Sequence, residues 1–296
     1  MVDYGQQLVD ANIKKELIRK IIYHGADLLS VGIKVAPTTN LDVLDVKFNY
    51  PSSMTGQYPV ADDAIAPREK ITWSQFTLAL QKAQIHYFIT DSAKLRAVTG
   101  TQNVINARKS SEALALLKDD EILTVLYAGA GGSVTAGAKW TSASCDIEAD
   151  IVNAWNGILD NSNVNTQEIQ NLALIVPTAA FAKVKTLKLI GNVQQTIEKY
   201  IGQSFGITVY PSRTTKLGAA ASTDALLMVP GDLTARHGVL SPAAAATAGV
   251  PLVERERVMG AGDDYLVTQW YKTIVIEDGK AAATKTYRIY KIATVC

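Results

Sequence analysis

The chain has 296 residues, 48% hydrophobic and 19% charged, with a formal net charge of +1. That is enough apolar material for a core in one large or two modest domains, and a balance so near neutral, without long runs of either sign, excludes blanket electrostatic binding to nucleic acid. No apolar stretch approaches the roughly 20 residues that span a bilayer. The opening MVDYGQQLVDANIKKE lacks the order of a signal peptide, no N-x-[ST] sequon occurs, and Cys145 and Cys296 make neither a CxxC pair nor a disulfide framework, so the expectation is a soluble protein made in a reducing cytosol.

Near the N-terminus Val9, Ile13, Leu17 and Ile21 recur every four residues, widened by Ile18 and Ile22, with Lys14, Lys15, Arg19 and Lys20 beside them. This predicts an amphipathic helix. It either packs on its own core or lies as an arm on a neighbour or an inner surface. Residues 41–51 (LDVLDVKFNYP) read as a strand, and 71–90 (ITWSQFTLALQKAQIHYFIT) as a second extended run rich in β-branched and aromatic residues. Between them SSMTGQYPVADDAIAPREK has no helical or alternating period. A structureless loop of that length is out of place inside a compact domain. It makes sense as the end of a two-stranded arm that a neighbouring subunit buries, and its candidate contact residues are Ser53, Gly56, Tyr58, Asp62, Asp63, Pro67 and Arg68. That points to assembly before it points to catalysis.

Residues 103–127 carry Leu114, Leu117, Ile122 and Leu126 on helical spacings and stop at the glycines following Ala128. About 25 residues at 1.5 Å each make a rod of nearly 40 Å. A polar stretch, SVTAGAKWTSAS, reads as a flexible linker. A helix over 146–159 follows, with Ile147, Ile151, Trp155 and Ile158 in register. Residues 172–177, 206–210 and 225–230 are short apolar runs of the kind buried strands show, and 178–189 and 192–201 read as helices, giving an α/β unit. Two last strands, 264–277 and 283–295, flank Asp278-Gly279-Lys280, a hairpin-turn signal, and are expected to pack under the long helix.

In this order the segments QKAQIHYFITDSAKLR, NVINARKSSEALALLKDDEILTVLYAG, IEADIVNAWNGILD, LALIVPTAAFAKVKTLK, GITVYPSRTT, DALLMVPGDLTARHGV and ERERVMGAGDDYLVTQWYKTIVIEDGKAAATKTYRIYKIA resemble the succession in the major capsid protein of tailed bacterial and archaeal viruses. The resemblance covers nearly the whole chain, as a pattern rather than a short motif. It implies the Hong Kong 97-type capsid fold, α+β, with an N-terminal arm (1–40) and an extended β-hairpin loop (41–90). It further implies a peripheral domain with a long spine helix (91–140 and 264–296) and an α/β axial domain (141–263). On this basis the chain would self-assemble into pentamers and hexamers of an icosahedral shell enclosing double-stranded DNA. Assembly would take place in the host cytoplasm and end in the virion. DNA contact would be weak and non-specific, with Lys14, Lys15, Arg19 and Lys20 as interior-facing basic residues. Pro211, Arg213 and Lys216 would form an axial loop near the ring centre. Scaffold, portal or decoration proteins are further expected partners; a membrane, a cofactor and catalysis are not. Encapsulins, the cellular nanocompartment shells, share the fold and are the first alternative, although residues 31–39 fit their N-terminal pattern poorly. An α/β enzyme of unfamiliar family is the second.

Catalytic motifs do not hold up. Gly202-Gln203-Ser204-Phe205-Gly206 matches G-x-S-x-G, with Asp224, Asp232 and His237 following in hydrolase order. The elbow, however, needs strand, turn, helix, whereas here a helix precedes a strand, so Gly202 reads as a helix C-cap. Gly132–Lys139 is near a P-loop, but Trp140 stands where the magnesium-binding hydroxyl belongs. His24, His86 and His237 are dispersed, and Asp62-Asp63, Asp119-Asp120-Glu121 and Asp263-Asp264 read as solvated acids or ion-pair partners. Lys47 and Lys70 only border the extended loop, so the lysine–asparagine crosslink of some members of this fold is not carried over.

Overall fold

The computed structural model describes residues 4–51, 70, 73–92, 101–162, 164–165, 167–189, 192–213, 216–218, 223–240, 252–258, 261–277, 281 and 284–296. The chain opens with α1 (Tyr4–Leu29) and the single turn α2 (Gly32–Val35), then β1 (Thr38–Leu41), β2 (Asp45–Pro51), β3 (Trp73–Ala79) and β4 (Gln81–Thr90). The long helix α3 (Thr101–Ala128) leads into β5 (Ala130–Thr135) and α4 (Ile147–Asn161). There follow β6 (Leu172–Pro177), α5 (Thr178–Thr186), β7 (Lys188–Leu189), β8 (Asn192–Thr196), α6 (Ile197–Phe205) and β9 (Ile207–Ser212). The chain finishes with β10 (Ala225–Met228), β11 (Ala235–Leu240), β12 (Leu252–Val258), β13 (Gly262–Val275) and β14 (Thr286–Ala293).

Two five-stranded sheets organise these elements. The first runs β1-β11-β13-β12, with β4 also paired to the long β13; the second runs β5-β14-β10-β6-β9. Strand β6, LALIVP, is buried at every position because both faces of its sheet are covered. Leu172, Leu174 and Val176 meet Ile147, Ile151, Ala154 and Ile158 of α4, with Ala180 of α5 and Ile201 of α6 in the same cluster. Ala173 and Ile175, on the opposite face, meet Ile122, Leu123 and Leu126 of α3 and Val35 of α2. The N-terminal half of α3 serves the other sheet: Ala107, Leu114 and Ala115 pack with Ile22 and Ala26 of α1 and with Tyr265, Val267 and Tyr271 of β13. One helix of 28 residues therefore braces both sheets.

The structure corrects several sequence expectations. Leu117 is 41% exposed, whereas Leu114, Ile122 and Leu126 are buried, because Lys118 and Asp119 turn inward beside them. Leu126→Ala is accordingly expected to destabilise the subunit by about 2–5 kcal/mol, and Leu117→Ala to stay within about 0.5 kcal/mol of the parent. Paired thermal melts check this, and equal losses would place both side chains in one environment. Residues 71–90 do not form one strand: β3 pairs with β2, but β4 leaves the hairpin and runs antiparallel along β13 from Gln81 to Thr90. Likewise β1 pairs in parallel with β11, separately from β2. β13 and β14 are not a hairpin but strands of different sheets; residues 278–280 lie outside the described residues. β11 and β12, expected in the axial unit, join the first sheet, whereas β5 and β14, expected in the peripheral one, join the second.

Local chemistry explains the remaining differences. Gly206, not Gly202, caps α6: its φ is 65° and its N–H bonds Ile201 O, while an added Cβ would sit 1.9 Å from Gln170 O. Residues 192–196 are strand rather than helix, pairing with β7. The glycine run after α3 is a strand too, since Gly132 lets the Tyr290 ring approach to where a Cβ would be 2.2 Å away. The expected flexible linker is pinned. Ala136 N and Trp140 N bond Ala293 O and Val295 O, and the buried Trp140 donates Nε1–H to Asp150 Oδ2 at 2.8 Å.

Candidate assembly surface

The projecting element begins as the hairpin β2–β3, registered from Asp45↔Ala79 to Pro51↔Trp73. Because side chains alternate across a strand, Val46, Phe48, Phe76 and Leu78 share one face, and Asp45, Lys47, Asn49, Trp73, Gln75 and Thr77 the other. The first face is bound to the body. Leu78 is 2% exposed over Gly238, where a Cβ would come within 2.5 Å of Leu78 Cδ2, and the Arg236 guanidinium lies 5.6 Å from the Phe48 ring centre. On the second face Asp45, Lys47, Asn49, Gln75 and Thr77 are exposed and polar, and Trp73 is 65% exposed. Seven residues at about 3.3 Å each carry the hairpin some 23 Å from base to described end. Beside its midpoint lies a cavity of about 230 Å³, lined by Phe76, Val125, Ala128, Gly129, Thr273, Ile274, Val275 and Thr284.

Under the hairpin the interior is polar where the sequence suggested surface. The Asp119 carboxylate accepts Ser30 Oγ–H at 2.6 Å, Gly32 N–H at 2.8 Å and Val31 N–H at 3.2 Å, tying α3 to the α1–α2 junction. Burial pushes its pKa up, and the three donors pull the other way. Lys118, 1% exposed, reaches Asp27 at 3.2 Å; burial lowers its pKa, and Asp27 opposes that. Glu121 accepts from both Thr273 N–H and Thr273 Oγ1–H. With that hydroxyl proton committed, Thr273 Oγ1 accepts from Nδ1–H of the buried His237 at 2.9 Å. His237 Nε2 has no hydrogen-bond partner among the described residues, and burial, with Lys118 nearby, lowers the imidazole pKa to about 3. Sequence reasoning named Asp119, Glu121 and His237 without their partners and missed Lys118 and Thr273; a lysine and an aspartate on an otherwise apolar helical stripe were the available signal.

The sequence-predicted site residues belong to three separate segments. Ser53, Gly56, Tyr58, Asp62, Asp63, Pro67 and Arg68 lie outside the described residues. Pro211 is not in a turn: it sits in β9, an edge strand of the second sheet, where a proline's missing donor is tolerated. Arg213 and Lys216 follow it and are exposed. On α1, Arg19 is half-buried and Lys20 exposed, while the side chains of Lys14 and Lys15 are not among those described. Ser204 lies within α6, and His237 belongs to β11 of the other sheet, so the hydrolase order of the sequence assembles no triad. Among the described residues no three His, Cys, Asp or Glu side chains gather as metal ligands, and no helix is long and apolar enough to cross a membrane.

No protein-family model matches the chain, and no curated protein is similar in sequence. Solved structures are similar in fold. The virus-like particle protein from Pyrococcus furiosus superposes with a TM-score of 0.63 at 12% identity, over 94% of this chain and 98% of that one. The capsid protein of the Cyanophage P-SCSP1u gives 0.62 at 11% identity, over 89% and 88%. The capsid protein of a native GTA particle gives 0.61 at 9%, over 92% and 91%. The architecture is therefore the α+β Hong Kong 97-type capsid fold, running through most of the chain.

Proposed function

We propose that this chain is the structural subunit of an icosahedral shell, assembling through pentamers and hexamers around double-stranded DNA. The supporting observation is the fold over most of the chain's length, shared with phage, virus-like and GTA particle proteins. Those particles favour a capsid over a cellular nanocompartment, and a structural over a catalytic role. A hairpin bound to the body on one face and free on the other suits a subunit that reaches its neighbours. Heterologous edges close into rings under rotation, and many weak contacts per subunit then hold the shell. In this reading residues 1–40 form the arm and the first sheet the peripheral part. The second sheet belongs to the axial part, Arg213 and Lys216 face the ring centre, and Lys20 with its basic neighbours on α1 faces the interior.

The test is expression followed by size-exclusion chromatography and electron microscopy, with nuclease protection to detect enclosed DNA. Hollow particles of megadalton mass that shield duplex DNA are expected, with Arg213 near a rotation axis in the resulting maps; a small oligomer overturns the proposal. Deleting residues 53–67 is expected to leave a folded, soluble subunit that builds no complete shells, and normal particles from that variant would refute the role of the projection.

A further inference from the structure

Among the described residues, the edges of the two main sheets are blunted against further pairing in all cases but one. β1 is four residues long, four of the seven residues of β12 are charged, β9 holds Pro211, and the short β5 shifts register against β14. Short strands, charges, proline and irregularities are the devices that keep an edge from recruiting another strand. The exception is β4. It runs for ten residues, about 33 Å, and pairs in unbroken register with β13 and with no other described strand. Its sequence, QKAQIHYFIT, contains no proline, and Lys82 is its single lysine. A strand paired on one side presents a row of N–H and C=O groups on the other, which another extended backbone matches. Beside this edge, between β4 and α3, opens a cavity of about 210 Å³ lined by Ile85, Tyr87, Phe88, Asn106, Lys109 and Ser110. It gives room for the side chains of an added strand.

We propose that β4 of one copy pairs antiparallel with β4 of a second copy across a two-fold axis, joining their first sheets into one. The proposal rests on the shell reading above and names a contact between rings, which meet across two-fold axes in a closed icosahedral shell.

The strand's own sequence selects the partner. A two-fold axis normal to the sheet keeps every residue on its face, so residues of one face stand opposite residues of the same face. In the central register Ile85 meets Ile85 of the second copy, Ala83 meets Tyr87, Gln84 meets His86 and Lys82 meets Phe88. On the side of α3 a small residue then faces a large one, and on the other an ammonium faces an aromatic ring. His86 keeps Asp264 of its own chain, 2.5 Å away, and no like charges oppose. The same operation on β12, at the other edge of the sheet, sets Glu254 against Glu256 and Arg255 against Arg255, which repels. One edge is self-complementary and the other excludes itself.

The test is disulfide trapping during assembly, read on non-reducing gels against the parent chain, whose free Cys145 and Cys296 set the background. Directly opposed residues of antiparallel strands stand about 4.5–5.5 Å apart, within reach of a disulfide. Ile85→Cys is expected to form linked dimers by itself. Lys82→Cys and Phe88→Cys are expected to form them only when the two variants are mixed, because each position lies about 20 Å from its own counterpart in the second copy. Both side chains are exposed, so the mixture decides the matter if Ile85→Cys fails to fold. Particles without linked dimers from the mixture overturn the β4 contact and leave the shell reading intact. Linked dimers from Lys82→Cys or Phe88→Cys alone put the strands in a different arrangement and overturn the pairing. Dimers in the expected combinations, with no particles from the parent chain, support the pairing and overturn the shell reading. Neither dimers nor particles overturns both.

Discussion

Asp119→Ala is expected to unfold the subunit far more readily than any exposed substitution on the same helix. The carboxylate is 2% exposed and takes hydrogen bonds from Ser30 Oγ, Val31 N and Gly32 N. Alanine leaves these donors buried with no acceptor, at about 1–3 kcal/mol each. A water entering the vacated space can satisfy one of them, which puts the total at about 3–5 kcal/mol. Asp119→Asn separates the two contributions. Its amide oxygen still accepts, but its NH₂ faces a backbone donor, so it should recover part of the loss and not all. The readout is the urea midpoint of the dissociated subunit. Equal midpoints for parent and alanine variant would show that the α1–α2 junction is held by packing alone. Because the junction positions α1 against α3, a loosened α1 should also become the first site of limited proteolysis.

The same residue shows where sequence reading succeeds and where it stops. The long helix was legible because Leu114, Ile122 and Leu126 mark an apolar stripe, and the strand β6 because it is apolar throughout. Each of those signals is local. Asp119 looked like a surface acid because its partners lie 87 to 89 residues away in the chain. For the same reason β1 went unread except for Leu41, since its partner β11 is remote and parallel. β12 was missed because four of its seven residues, Glu254, Arg255, Glu256 and Arg257, are charged, and it pairs as an exposed strand in which Arg255 and Arg257 reach Asp263. The C-terminal strands were called correctly as strands, but their separation into two sheets is a tertiary fact with no local trace. Of the candidate surface, the hairpin strands and their alternation were readable. The isolated exposure of Trp73 and the cavity beside Phe76 were not, because both depend on which face the body covers.

Acid is expected to weaken the fold through His237, in a window set by its two protonation midpoints. Folded, the imidazole is buried and its pKa is lowered to about 3; its ordinary value is 6.5. A base whose folded pKa is lowered binds its proton more readily in the unfolded chain. Its contribution is therefore undiminished above pH 6.5 and is lost progressively as pH falls toward 3. The slope approaches about 1.4 kcal/mol per pH unit below the unfolded midpoint. Structurally, protonation places a charge on Nε2, which has no partner among the described residues, beside the buried ammonium of Lys118. Asp119 works in the opposite direction: its pKa is raised by burial, so its protonation on folding offsets part of the loss once pH reaches the carboxylate range. The His237 effect should thus be cleanest between pH 6.5 and about 5. His237→Asn keeps a donor for Thr273 Oγ1 and cannot titrate. It should be less stable than the parent at pH 8, because the ring leaves a cavity, yet much flatter in melting temperature from pH 7 to 5. A variant that loses stability across that range as steeply as the parent would assign the acid sensitivity to other groups.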